Sequence, residues 1–361
     1  MLRRCYRRHA STYLSKRLAK AEEISTFPEI VQRDIFLNDL NHGEPSMRPH
    51  ATSSTTAPLQ MSKQDLNTCL DAGLLTFALH IESRISSALG EGFYTIGPCG
   101  EEPLAGVALA LRPDDSVALH YRHLSTSLAR GLQAGRSIPE LTLDRARGYT
   151  VSSLDPIGGG AHCLLGGGPQ DFLVTSTLAS QGPPAVGRAL GGRLAHLLGG
   201  SAQEATPFPG DFVSYVSTGD GSVNNAHFLS AVNLAEYTRH RGFKCPVVFG
   251  ISDNDRCISL RGYQWLDKFT EQRMGGMPVH RCDGNDVDAV YAATSAAAAF
   301  SRKRGAPSAV VFEGLSRRFG HAATDRQVSG GGGGGGVVGV VLCVWWGCVC
   351  VVVVVKVLWT V

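Results

Sequence analysis

Apolar residues recur near every third or fourth position between Ser62 and Leu89, at Leu66, Leu70, Leu74, Leu75, Leu79 and Ile81, a spacing that predicts a helix. Further along, Asp211–Thr218 (DFVSYVST) predicts a strand. Asn225–His240 predicts a helix with Phe228, Val232, Leu234 and Ala235 on or near one face. Pro246–Ser252 (PVVFGIS) is an unbroken apolar run, as a strand covered on both faces would be. A short strand at Pro278–Cys282, a helix from Asp286 to about Arg302 and a strand at Ser308–Gly314 continue the alternation. This order predicts an α/β domain built on a doubly wound, mostly parallel sheet.

In such sheets ligands bind beyond the carboxyl ends of the strands. Two consecutive strands end in polar clusters here. Gly219-Asp220-Gly221 closes the first, and Asp253-Asn254-Asp255 closes the second. The glycine pattern of a dinucleotide loop is absent from the first of them. A carboxylate and an amide oxygen are hard ligands that suit Mg²⁺ or Ca²⁺. Asp220 and Asn254 are therefore candidate metal ligands, with the Arg256 carbonyl as a third. Gly219 and Gly221 would let backbone approach a bulky phosphate, and the following helix would offer its positive N-terminus. Taken singly, each cluster also reads as an ordinary turn. Their placement on neighbouring strand ends is what favours a metal–diphosphate cradle.

Composition narrows the picture. A chain of 361 residues with a net charge of +3 gives no sign of a nucleic-acid partner. Positive charge is concentrated in residues 1–20, where Arg3, Arg4, Arg7, Arg8, Lys16, Arg17 and Lys20 stand among Ser and Thr without an acid. That is the composition of a mitochondrial transit peptide and points to the matrix, with the cytoplasm as the alternative. The ten cysteines are scattered and form no CxxC pair, so a cysteine-built zinc site does not fit. Reduced thiols fit the matrix or cytosol.

Residues 21–61 are read as an arm and linker, rich in Pro, Ser and Thr from Asn41 onward. Residues 329–361 form a low-complexity tail. A glycine run from Gly330 to Gly336 precedes Val, Cys, Trp and Leu, all of which have codons written with G and T alone; only Lys356 and Thr360 need another base. A translated GT repeat, as in a retained intron, explains this better than a membrane span over Val337–Val355.

The remaining motifs carry a resemblance. CGEEPLAGVALAL (Cys99–Leu111), HYRH (His120–His123), GGGAH (Gly158–His162), LVTSTLASQGPPAVG (Leu173–Gly187), CDGNDVDAVYAAT (Cys282–Thr294) and RRFGHAATD (Arg317–Asp325) follow one another in the order of one family. Residues 62–328 resemble the alpha subunit of the thiamine diphosphate-dependent decarboxylase component of 2-oxo acid dehydrogenase complexes, nearest the branched-chain type. The resemblance implies a thiamine diphosphate-binding fold holding thiamine diphosphate and Mg²⁺. It implies oxidative decarboxylation of a 2-oxo acid, branched-chain preferred, with acyl transfer to the lipoyl group of a transacylase. A beta subunit or fused domain would bind the pyrimidine end of the cofactor, so the chain alone would be inactive; no membrane is implied. Pyruvate and acetoin are the alternative substrates.

By the same resemblance, Tyr121 and Arg122 match the pair that contacts the diphosphate. His321 matches the histidine that contacts the cofactor and assists acyl transfer. Ser176 and Leu178 match residues lining the aminopyrimidine and thiazolium, though a leucine is as often plain core. Thr175, Thr177, Ser180 and Gln181 overlie a loop that holds a monovalent cation, K⁺, with Thr177 in place of the family's proline. Ser252 is the clearest departure, because the family places an arginine there, and Asp253 and Asp255 add negative charge beside an anionic cofactor. Two rivals remain at this point: another thiamine diphosphate enzyme of the transketolase kind, and a truncated chain without catalysis.

Overall fold

The computed structural model describes residues 12–42, 60–92, 96–156, 170–171, 177–257, 265–316, 318–321, 339–346 and 349–356. Helices come first: α1 (12–19), α2 (Ala21–Ser25), α3 (Pro28–His42), α4 (Lys63–Ala88) and α5 (Ala105–Ala110). Strand β1 (Ser116–Ala118) follows, then α6 (Leu124–Gln133), α7 (Ile138–Tyr149), α8 (Gly182–Leu198) and α9 (Gly200–Glu204). The second half alternates regularly through β2 (Ser214–Gly219), α10 (Ala226–His240), β3 (Val247–Ser252), α11 (Trp265–Arg273), β4 (Val279–Asp283), α12 (Val287–Arg304) and β5 (Ser308–Glu313). The five strands form one sheet in the order β1-β2-β3-β5-β4, and every pair is parallel.

The expected elements are present, and their ends are set by side chains. Ser62 and Asn225 cap α4 and α10, accepting from Asp65 N and His227 N, and Asp286 caps α12. The strand expected from Asp211 begins three residues later because its first backbone groups are engaged elsewhere. Val213 N donates to Asp115 Oδ1, and the Asp211 carboxylate pairs with Arg112 at 2.8 Å.

Alternate side chains of the central strands enter two different cores, which is how a sheet covered on both faces must be built. Val248, Val310 and Phe312 pack with α4, α5, α6 and α12. Val247, Phe249, Ile251, Ala309 and Val311 pack on the other face with residues of α8, α10 and α11. Gly250 sits between the strands because Tyr215 fills its place: a Cβ there would collide with the Tyr215 phenol, itself fully buried. Gly250→Ala is expected to cost about 1–3 kcal/mol or more through this overpacking. Urea unfolding checks it, and a variant as stable as the parent would show that the phenol has room to move.

The N-terminal helices pack on α4 through Ile24, Phe27, Ile30, Ile81, Ile85 and Leu89. Glu29 is buried in this contact, 2.7 Å from Arg84 Nε and 3.3 Å from His80 Nε2. Arg84 in turn reaches the Gly320 carbonyl at 3.5 Å, and the His80 ring stacks on Phe319. Residues 319–321 are thereby tied to α4. In the tail, β6 (Gly339–Trp346) and β7 (Val349–Lys356) pair antiparallel as a separate two-stranded sheet. Among the described residues no helix is long and apolar enough to cross a membrane.

Candidate functional site

The carboxyl ends of β2 and β3 lie side by side, with Gly219 opposite Ser252 in the parallel register. Asp220 therefore stands one residue past one strand end and Asn254 two residues past the next. Asp220 Oδ2 is buried and has no hydrogen-bond partner among the described residues. Asn254 Oδ1 accepts from Arg256 N at 3.0 Å, and Asp253 Oδ1 accepts from Asp255 N at 3.0 Å. The Asn254 oxygen keeps a second lone pair, so a turn bond and a cation contact are compatible. A Cβ on Gly221 would meet Cys257 Sγ at 2.8 Å, so the chain cannot carry a side chain there without shifting. A Cβ on Gly219 would meet the His120 ring at 3.8 Å, an ordinary van der Waals contact, so the imidazole lies over this strand end.

Charge is unbalanced at this place. Burial first, then Asp253, Glu101 and Asp255, push the Asp220 carboxyl up to about 7. Asp253 is raised as well, by burial and then Asp255. A half-buried carboxyl with an orphaned oxygen, facing further acids, is a site whose electrostatics are completed by a cation.

A second segment meets the strand ends from β1. His120, Tyr121, Arg122 and His123 form a tight turn in which His123 N donates to the His120 carbonyl at 2.9 Å. Arg122 spans three partners: its Nε lies 3.3 Å from Glu101 Oε1, one terminal nitrogen donates to the Gly97 carbonyl, and the other is 3.0 Å from His321 Nδ1. The guanidinium also lies 5.8 Å from the Tyr121 ring centroid, and the His321 ring meets that ring edge-on. Gly97 N donates to the His321 carbonyl at 3.0 Å, which fixes the histidine's backbone too. Tyr121, Arg122 and His321, distant in sequence, are thus one cluster.

Glu101 joins this cluster to the strand ends. Its Oε2 is 2.9 Å from His123 Nε2 and accepts from Ser252 Oγ at 3.1 Å. Burial alone would raise its pKa, but the His123 hydrogen bond and the charges around it bring the carboxyl below its ordinary value. Ser252 is buried, and its hydroxyl faces His123 and Glu101. Beside Ser252, in the position where the resemblance led us to expect an arginine, stand the Glu101 carboxylate and the His123 imidazole. Glu101, His120 and His123 were not singled out from sequence. The signal available was a glutamate in the Gly-Glu-Glu segment and two histidines flanking Tyr-Arg.

Leu178 is 43% exposed, so it is not ordinary core. It sits in the turn before α8, where Gln181 Nε2 donates to the Ser217 carbonyl at 2.7 Å and Ser180 Oγ to the Thr177 carbonyl at 3.0 Å. Gln181 Oε1 is buried without a partner among the described residues. Ser176, Thr175 and the Gly158–His162 motif lie outside the described residues.

The family model described as Dehydrogenase E1 component matches residues 75–329. The chain is 28% identical over 218 residues to the 2-oxoisovalerate dehydrogenase subunit alpha of Bacillus subtilis, covering 58% of each chain. It is 28% identical to the 3-methyl-2-oxobutanoate dehydrogenase subunit alpha of Mycobacterium tuberculosis, covering 63% of this chain and 54% of that one. It is 26% identical to the pyruvate dehydrogenase E1 component subunit alpha of Porphyra purpurea, covering 63% of this chain and 62% of the other. The chain therefore spans little more than half the length of such relatives. Among solved structures, a mutant transketolase from Pichia stipitis superposes with a TM-score of 0.49 at 17% identity, over 70% of this chain and 36% of that one.

Proposed function

Since the chain belongs to the Dehydrogenase E1 component family, we propose that it is an alpha-type subunit holding the diphosphate and metal end of thiamine diphosphate for decarboxylation of a 2-oxo acid. The observation that carries this reading is the buried Asp220 Oδ2, without a partner among the described residues, at a strand end whose Gly219 lies against His120 of the turn that bears Tyr121 and Arg122. The donor set fits the group. Asp220, the Asn254 side-chain oxygen and the Arg256 carbonyl would take Mg²⁺, whose remaining positions suit phosphate oxygens and water. Arg122 and Tyr121 would take diphosphate oxygens, the arginine as a fork. The chemistry such a cofactor supplies when bound is the electron sink for loss of CO₂ from a 2-oxo acid.

The chain's own residues hold and orient. Glu101 holds Arg122 by an ion pair and His123 by a hydrogen bond, and Arg122 contacts His321 Nδ1. His321 would make the acyl-transfer contact. Ser176 and Leu178 would line the aminopyrimidine and thiazolium. The exposure of Leu178 supports a site finished by a neighbour, and we assign that neighbour to a beta subunit that binds the pyrimidine end. A lipoyl-bearing transacylase would then receive the acyl unit. The branched-chain substrate is preferred over pyruvate on the relatives named above, the matrix is the location proposed from the basic N-terminus, and K⁺ would sit at Thr175, Thr177, Ser180 and Gln181.

The test is thermal unfolding of the chain with Mg²⁺ and thiamine diphosphate together. At a hundred times the dissociation constant, binding stabilises by about 2.7 kcal/mol. For a domain of this size that is a rise of roughly 5–10 °C. A folded chain whose Tm does not move would overturn the reading. Turnover of a panel of 2-oxo acids is expected only after a beta partner is added.

A further inference from the structure

Glu101, His120 and His123 are 3%, 4% and 1% exposed, and their environment is unusual for buried polar groups. One ring nitrogen of each histidine and one carboxylate oxygen of Glu101 all lie within 4.8 Å of one another. This is the one such group among the described residues. The tight turn over Tyr121 and Arg122 brings both imidazoles to one side, with ring centroids 5.4 Å apart. His120 Nδ1 is buried and has no hydrogen-bond partner among the described residues. A buried imidazole nitrogen left unpaired costs free energy, which an ordered water or a bound ion would relieve.

We propose that Glu101, His120 and His123 form a binding site for one divalent ion of the zinc class, separate from the all-oxygen pair at Asp220 and Asn254. Two neutral imidazoles and a carboxylate suit zinc and its neighbours, whereas the strand-end oxygens suit Mg²⁺. The spacing is close to what an ion requires. Glu101 Oε2 and His123 Nε2 stand 2.9 Å apart across a hydrogen bond. Tetrahedral ligands with bonds of about 2.0 Å stand roughly 3.3 Å apart. An ion can therefore take the place between them with a shift of tenths of an ångström, the imidazole staying neutral as its proton moves from Nε2 to Nδ1, beside Ser217 Oγ. His120, whose ligand nitrogen lies within 4.8 Å of the other two ligand atoms, closes the set by a ring movement of up to about 1.5 Å. Ser252 Oγ, 2.8 Å from His123 Nε2, or a water takes the fourth position.

The outer partners are already in place. Ser217 Oγ bonds His123 Nδ1 at 2.7 Å, which turns Nε2 toward Glu101. The same hydroxyl accepts the His120 backbone N–H at 2.9 Å. Arg122 holds the other carboxylate oxygen of Glu101 and leaves Oε2 for the ion. Supports of this kind orient metal-binding imidazoles and carboxylates. An ion here would stiffen the turn that presents Tyr121 and Arg122.

Cobalt provides the test, because Co²⁺ occupies zinc sites and absorbs in the visible. The full chain, dialysed against chelator, should take up one equivalent of Co²⁺ with the intense bands of a tetrahedral site. Stoichiometric Zn²⁺ should displace it, and millimolar Mg²⁺ should not. Glu101→Gln and His120→Gln should each weaken binding by about a hundredfold or more. His120→Gln serves where Glu101→Gln fails to fold, as circular dichroism will show. Asp220→Asn should leave the cobalt spectrum unchanged while losing the response to Mg²⁺ and thiamine diphosphate, so the two sites fail independently. Binding below stoichiometry, or bands that survive both substitutions at Glu101 and His120, overturns the proposal. Bands lost on Asp220→Asn overturn it equally.

Discussion

Asp220→Asn is expected to abolish the stabilisation of the chain by Mg²⁺ and thiamine diphosphate, and at the same time to make the ligand-free chain more stable above neutral pH. Both outcomes come from one oxygen. Oδ2 of Asp220 is buried without a partner, and the carboxyl is raised to about 7 by burial and by Asp253, Glu101 and Asp255. An unfolded aspartate titrates near 3.9. Below that value both states are protonated and the group costs nothing. As pH rises toward about 7 the unfolded state ionises freely and the native state does not, so stability falls; above that the loss is complete. Asparagine removes the titration. The ligand-free variant should therefore have a Tm above that of the parent by at least about 2–4 °C at pH 8. At pH 4 the difference should nearly vanish.

With ligands the order reverses. Mg²⁺ is held by only one or two carboxylates in such sites, so removing the one at the strand end should weaken its binding by on the order of a hundredfold or more. Melting curves at both pH values, with and without Mg²⁺ and thiamine diphosphate, decide the matter. A variant that keeps its ligand-dependent rise would show that Asp220 is not the metal ligand. One that is less stable than the parent at pH 8 would show that the carboxylate is satisfied in the native state.

The placement of Asp220 at a strand end was legible in the sequence because strand ends leave local marks. Gly219, Gly221 and Asn254 are turn residues at the close of apolar runs, and the alternation of runs implied a parallel sheet with a site at that edge. Tyr121, Arg122 and His321 needed the resemblance, since nothing local distinguishes them from a surface pair and a loop histidine. Glu101 and His123 were legible by neither route. Their partner Ser252 lies 151 and 129 residues away, and a pairing of that kind exists only once the sheet has formed. The same separation explains why Ser252 looked like a simple loss of positive charge. Its hydroxyl completes a buried network in which His123 holds the place beside Glu101. Strand β1 escaped because three residues are too few to show a period, and its position depends on pairing with β2.

Arg122→Gln is expected to be the other severe change, because the guanidinium contacts Glu101, Gly97 and His321 at once. Its side chain is 12% exposed, so its bonds are largely shielded from water. Glutamine is too short and too poor in donors to replace all three contacts. The Glu101 carboxylate would keep His123 and Ser252, the Gly97 carbonyl would lose this donor, and His321 Nδ1 would lose its guanidinium contact. Leaving a buried acceptor unpaired costs about 1–3 kcal/mol, which should appear as a lower Tm without ligands. Cofactor binding should suffer more. Truncating one member of a buried charged pair costs about 2–5 kcal/mol, so the dissociation constant for thiamine diphosphate should rise by a factor of roughly 30 to several thousand. Arg122→Lys should recover part of the loss in charge but little of the geometry, since an ammonium cannot serve as a planar fork. His321→Asn supplies the control through a double-mutant cycle on the affinity. If Arg122 acts partly by holding His321 Nδ1, the combined loss will be smaller than the sum of the two single losses. Strict additivity would mean that the 3.0 Å contact between them plays no part in binding.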